Sequence, residues 1–118
     1  MKPELKAAWI EALRSGKYEQ GRNTLRSDLE CTTTYCCLGV LCEVARVPRY
    51  VDMKGQEGYG YFLFDAQFTS FPPLPLLQEW GMDAMVTDEN TIAQHLAEMN
   101  DVDSKSFDQI ADWIEENL

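Results

Sequence analysis

A chain of 118 residues that is 45% hydrophobic and 25% charged holds enough apolar material for one modest core, which argues for a single domain and against global disorder. Its formal charge of −10 is unevenly spread: residues 1–50 carry eight Lys/Arg against six Asp/Glu, a balance of +2, whereas residues 83–118 carry one Lys against ten Asp/Glu, a balance of −9. Broad nucleic-acid binding is therefore disfavoured, because phosphates need a basic footprint. The longest apolar runs, residues 36–42 and 59–64, fall far short of the roughly 20 residues of a membrane span.

Taken in chain order, Pro3 suits a first helical turn, and Leu5, Trp9, Ala12 and Leu13 recur at helical spacing up to Gly16, a natural C′ residue. This predicts a helix over residues 3–15. Residues 16–30 are polar and read as a loop, with a short helical turn near 24–29. The Thr-rich stretch 31–35 predicts a short strand. Residues 36–47 predict a buried helix, with Leu38, Leu41, Val44 and Ala45 in step and Pro48 marking its end. Gly39 inside it costs about 1 kcal/mol, which makes sense only where another backbone comes close. Residues 50–53 and 58–71 read as strands, with a hairpin turn at Asp65-Ala66, stopped by Pro72, Pro73 and Pro75. A short helix over 74–80 closes at Gly81. Capping boxes at Thr91–Gln94 and Ser106–Gln109 open two further helices, joined by a short polar linker over 100–105 that predicts a helical hairpin. Trp9, Trp80 and Trp113 are expected to be partly buried. The fold class is α+β: one small domain with an N-terminal helix, a short antiparallel sheet or hairpin, and a C-terminal helical hairpin.

Four features bear on chemistry. Arg14, Lys17, Arg22 and Arg26 lie within 13 residues, interleaved with Ser15, Tyr18, Gln20 and two glycines, which is the composition of a small-anion or nucleotide site. The plainer reading of the same residues is a solvated loop whose arginines pair with the acidic C-terminal helices. Cys31, Cys36, Cys37 and Cys42 are a poor match to zinc knuckles, since two are adjacent within an apolar run, and they read as free, mostly buried thiols. A thiol enzyme would have to recruit His95, expected on an exposed helix face, and no G-x-S-x-G, P-loop or G-x-G-x-x-G supports a hydrolase or other enzyme. Asp101, Asp103, Asp108, Asp112, Glu115 and Glu116 could imitate the charge of a DNA backbone, or simply confer solubility. No metal or cofactor is called for. The N-terminus, Met1-Lys2-Pro3-Glu4, lacks the apolar run of a signal peptide, so a cytoplasmic protein is expected.

The strings Ala12-Leu13-Arg14-Ser15-Gly16-Lys17-Tyr18-Glu19-Gln20-Gly21, Tyr35-Cys36-Cys37-Leu38-Gly39-Val40-Leu41-Cys42, and Leu96-Ala97-Glu98-Met99-Asn100-Asp101 followed by Ser106-Phe107-Asp108-Gln109-Ile110-Ala111 resemble a family of small phage and prophage proteins of unknown function. The likeness covers both ends and is weak over residues 50–90. It implies a viral origin and a setting in the host cytoplasm, and supplies no mechanism. The expectation drawn here is a non-enzymatic binding protein acting on a host process. One version is counter-defence by capture of a phosphate-bearing nucleotide signal: Arg14, Arg22 and Arg26 on phosphates, Ser15 nearby, Tyr18 stacking on a base, Gln20 reading an edge. Asn100 and Asp101 would contact ribose hydroxyls, although a helix C-cap explains them equally well. The alternative is an acidic protein–protein inhibitor or DNA mimic that blocks a host protein, and the third is a small hydrolase or thiol enzyme. A homo-oligomer is compatible with all three.

Overall fold

A computed structural model describes residues 1–29, 32–51, 57–61, 66–68 and 70–118. The elements in order are α1 (Pro3–Arg14), β1 (Glu19–Gln20), β2 (Arg26–Leu29), β3 (Thr32–Tyr35), α2 (Cys37–Val44), β4 (Arg49–Val51), β5 (Glu57–Tyr61), β6 (Ala66–Phe68), α3 (Leu74–Glu79), α4 (Ile92–Asp101) and α5 (Phe107–Asn117). The protein is thus an α+β domain with an N-terminal helix, C-terminal helices and, among the described residues, two three-stranded sheets.

The strongest local signals set the helices. Pro3 opens α1, and Gly16 follows it with φ 77°. Thr91 and Ser106 each accept a backbone N–H from the third helical residue, whose glutamine side chain in turn accepts the cap residue's own N–H. The helix at 36–47 is shorter than its apolar pattern. Cys36 is its N-cap, with the sulfur accepting the Gly39 N–H, and Arg46 at φ 59° turns the chain out of the helix before Pro48. The Val47 N–H then closes on the Cys42 carbonyl at 2.9 Å.

Residues 16–29 are not the expected loop with a helical turn. β2 pairs antiparallel with β3, Arg26 opposite Tyr35 and Leu29 opposite Thr32, while β1 pairs parallel on the other side of β3. Pairing with the Thr-rich strand overrides the weak local preference of Arg26–Leu29, and the first sheet is therefore mixed rather than antiparallel. The second sheet is antiparallel in the order β4-β5-β6. Ala66, expected in a hairpin turn with Asp65, instead begins β6, while residues 62–65 lie outside the described residues, as do Cys31, Asp52 and Met53.

The core gathers Trp9 and Leu13 of α1, Leu25, the whole apolar face of α2, Leu76 and Leu77 of α3, Leu96 and Met99 of α4, and Ile110 and Ile114 of α5. Trp9 is fully buried, and its indole N–H donates to the Cys37 carbonyl at 2.9 Å; Trp80 is buried as well, and Trp113 is half-buried. α5 packs chiefly against α1, so the last element covers the first.

Candidate functional site

The eight residues singled out as a ligand site fall in three places. Arg14 and Ser15 close α1, beside α5. The Arg14 guanidinium forks onto Asp112 at 2.6 Å and Glu115 at 2.8 Å, and these hydrogen bonds, Glu115 first, hold it above its ordinary pKa. The Ser15 hydroxyl donates to the Ala12 carbonyl. The two residues line a groove of about 650 Å³ together with Pro3, Ala7 and Ile10 of α1 and Glu115 of α5.

Tyr18 and Arg26 meet on the first sheet. Tyr18 packs edge-on to Tyr35, with ring centroids 5.1 Å apart, and Arg26 lies 6.0 Å from the Tyr35 centroid while pairing with Asp28 at 2.9 Å. The Tyr35 hydroxyl donates to Glu43, which also holds Arg49 at 2.8 Å. Burial, then the Glu43 carboxylate, raises the Tyr18 phenol above its usual range. Tyr18 is thus seated on Tyr35, and only 13% of the Arg26 side chain is exposed, so an alanine at Arg26 would disturb packing as well as any ligand.

Gln20, Arg22, Asn100 and Asp101 form the third group, a clasp between the β1 loop and the end of α4. Asn100 is fully buried. Its Oδ1 accepts the Gln20 amide at 2.8 Å and the Cys37 N–H at 3.3 Å, and its Nδ2 donates to the Gly21 carbonyl at 2.9 Å and to Asp101 at 2.8 Å. Asp101 also accepts the Asn23 N–H, Gln20 donates to the Lys105 carbonyl, and Arg22 donates to Ser104 at 3.0 Å. Asn23 and Ser104 both sit at positive φ, at 69° and 56°. The clasp satisfies an N–H at the start of α2 that has no partner within that helix. Asn100 therefore lies within the last turn of α4, with its side chain turned inward rather than offered to a ribose.

Cys36, Cys37 and Cys42 are buried free thiols. Burial pushes the Cys36 thiol up to about 12 and raises Cys37 and Cys42 strongly as well. Nucleophilic chemistry needs a thiolate, so these three sulfurs are poor nucleophiles at neutral pH, and none is expected to react with a thiol reagent until the protein unfolds. The same shifts predict alkaline weakening. In the window between the ordinary thiol pKa of 9.0 and about 12, the unfolded chain loses protons that the folded chain keeps. Stability then falls by about 1.4 kcal/mol per pH unit per thiol. Urea midpoints at rising pH under reducing conditions, compared with a Cys36→Ala variant, measure that slope. His95 is half-buried rather than exposed, because the Trp113 ring lies 5.0 Å from it. Among the described residues no group of three or more His, Cys, Asp or Glu is placed to hold a metal ion, and no helix is long and apolar enough to cross a membrane.

A family model described as Domain of unknown function (DUF8296) matches residues 1–118. The chain belongs to that family. No curated protein and no solved structure matched it.

In a DUF8296 chain built this way, the residues that sequence reasoning missed are Tyr35, Glu43 and Arg49, which complete the cluster around Tyr18 and Arg26. A further signal was available for Asn100. It follows Ile92 and Leu96 at successive four-residue steps, so it occupies the apolar stripe of α4, where a polar side chain must find buried partners.

Proposed function

We propose that this protein is a non-enzymatic binding protein that covers a basic surface on a host protein, as an acidic inhibitor or DNA mimic. The observation that carries this reading is where the loop arginines point. Arg14 is held by Asp112 and Glu115, Arg22 reaches Ser104, and Arg26 is held by Asp28 and Tyr35. A phosphate at Arg14 or Arg26 would have to compete with carboxylates already in place. By contrast, Asp103, Asp108 and Glu116 stand exposed in the segment whose balance is −9. The host setting rests on the likeness to phage and prophage proteins.

The test offers purified bacterial nucleoid DNA-binding proteins to the immobilised chain. Retention is expected at low ionic strength, lost at high salt, competed by duplex DNA, and weakened in the D103N/D108N/E116Q variant. An absence of retention at low ionic strength removes the reading. The nucleotide-capture alternative keeps one observation in its favour: Gln20, Arg22, Asn100 and Asp101 do lie together. Native mass spectrometry with a nucleotide extract decides it, an unchanged protein mass ruling it out.

A further inference from the structure

We infer that the loop between α3 and α4, residues 82–91, is the docking element of this protein. Met85 and Val86 anchor in an apolar pocket of the partner protein, and Asp83, Asp88 and Glu89 meet a Lys/Arg rim around that pocket. The inference rests on the reading that the partner surface is basic.

Three observations carry it. The loop displays two adjacent apolar side chains: Met85 is 58% and Val86 40% exposed, while Met82, three residues earlier, is fully buried. Its backbone is also held in place. The Ala93 N–H donates to the Met82 carbonyl at 3.2 Å and the Ile92 N–H to the Ala84 carbonyl at 2.8 Å, Met85 bridges to Thr91, and the Val86 N–H donates to the Asn90 carbonyl at 3.0 Å. The Thr87 hydroxyl oxygen accepts the N–H groups of Glu89 and Asn90, and the Asn90 amide donates to Glu98 at 2.7 Å. A loop ordered before binding has little further backbone entropy to lose on docking, and an exposed methionine adapts to the pocket that receives it.

The charge around the pair selects the occupant. No Lys or Arg occurs anywhere in residues 55–104, and Asp83, Asp88 and Glu89 are exposed. A membrane with anionic headgroups would repel this loop. A second copy of the same loop would repel it too. An apolar pocket ringed by cationic side chains satisfies both halves of the surface.

The probes are two peptides of equal positive charge, an amphipathic Leu/Lys helix and an oligolysine, titrated into the isotope-labelled protein and followed by amide shifts. The Leu/Lys helix is expected to shift residues 82–91 and to bind more tightly than the oligolysine. Met85→Ser with Val86→Ser should weaken the Leu/Lys helix about tenfold and leave oligolysine binding unchanged, with far-UV circular dichroism and thermal midpoint unaltered. If both peptides bind equally, or the shifts fall elsewhere, the docking element is wrong while the basic-partner reading stands. If neither peptide binds, both fall. Binding to anionic vesicles, or a concentration-dependent dimer abolished by the double serine variant, would assign the loop to a lipid or to a second copy and overturn the proposal.

Discussion

Gly39→Ala is expected to be strongly destabilising, with a urea midpoint well below that of the parent. Helix propensity alone gives the opposite sign, since alanine in a helix interior is favoured over glycine by about 1 kcal/mol. The geometry decides against it. A Cβ on Gly39 would stand 1.8 Å from the Leu25 carbonyl oxygen and 2.6 Å from its carbon. Both are backbone atoms, so no rotamer change relieves the clash. The Leu25 carbonyl also accepts the Cys36 N–H at 3.3 Å, and the Leu25 side chain is fully buried, so the segment leading into β2 cannot retreat without opening the core. Overpacking usually costs about 1–3 kcal/mol when side chains can give; against a fixed carbonyl the cost should exceed about 4 kcal/mol, most of the stability of a small domain. Urea unfolding followed by tryptophan fluorescence measures it. A midpoint equal to or above that of the parent would show that α2 and Leu25 separate easily.

Replacing Asn100 with leucine should cost about 3–5 kcal/mol, because the Gly21 carbonyl and the Cys37 N–H each lose a buried partner and each orphaned group costs about 1–3 kcal/mol. Asn100→Asp separates the two halves of the clasp. Its oxygen can still accept from Gln20 and Cys37, but the donor to Gly21 is gone and a second carboxylate faces Asp101. Burial and Asp101 would raise the pKa of the new carboxyl in the folded state above its unfolded value. The variant should therefore be closest to the parent at acid pH, where the protonated form can donate again, and lose stability relative to it as pH rises through the shifted value. Parallel urea titrations at mildly acid and neutral pH give this difference. A pH-independent loss would mean that Asn100 acts by shape alone.

The helices and the need for Gly39 were legible because their causes are local. Pro3, Thr91 with Gln94, Ser106 with Gln109, and Gly81 at φ 70° each mark a boundary through atoms within a few residues. β1 and β2 were not legible, because Glu19–Gln20 and Arg26–Leu29 carry no alternation and become strands only when β3 lies between them. The candidate site divided for the same reason. Proximity in sequence gathered Arg14, Arg22 and Arg26, but their partners, Asp112 and Glu115 for the first and Ser104 for the second, lie about 80 to 100 positions away. The exception was the expectation that these arginines would find acidic C-terminal partners, which Arg14 does.

The order β1-β3-β2 and the seating of α5 on α1 also constrain how the chain is made. As it leaves the ribosome, Glu19–Gln20 and Arg26–Leu29 have no central strand to join until Tyr35 has emerged. Trp9 can meet Cys37 as soon as α2 is available, whereas Arg14 waits for Asp112 and Glu115 of α5 and the Gln20–Asn100 clasp cannot shut until α4 is complete. The α1–α5 packing and the Gln20–Asn100 clasp therefore join residues far apart in sequence and form late relative to local pairings such as β2–β3.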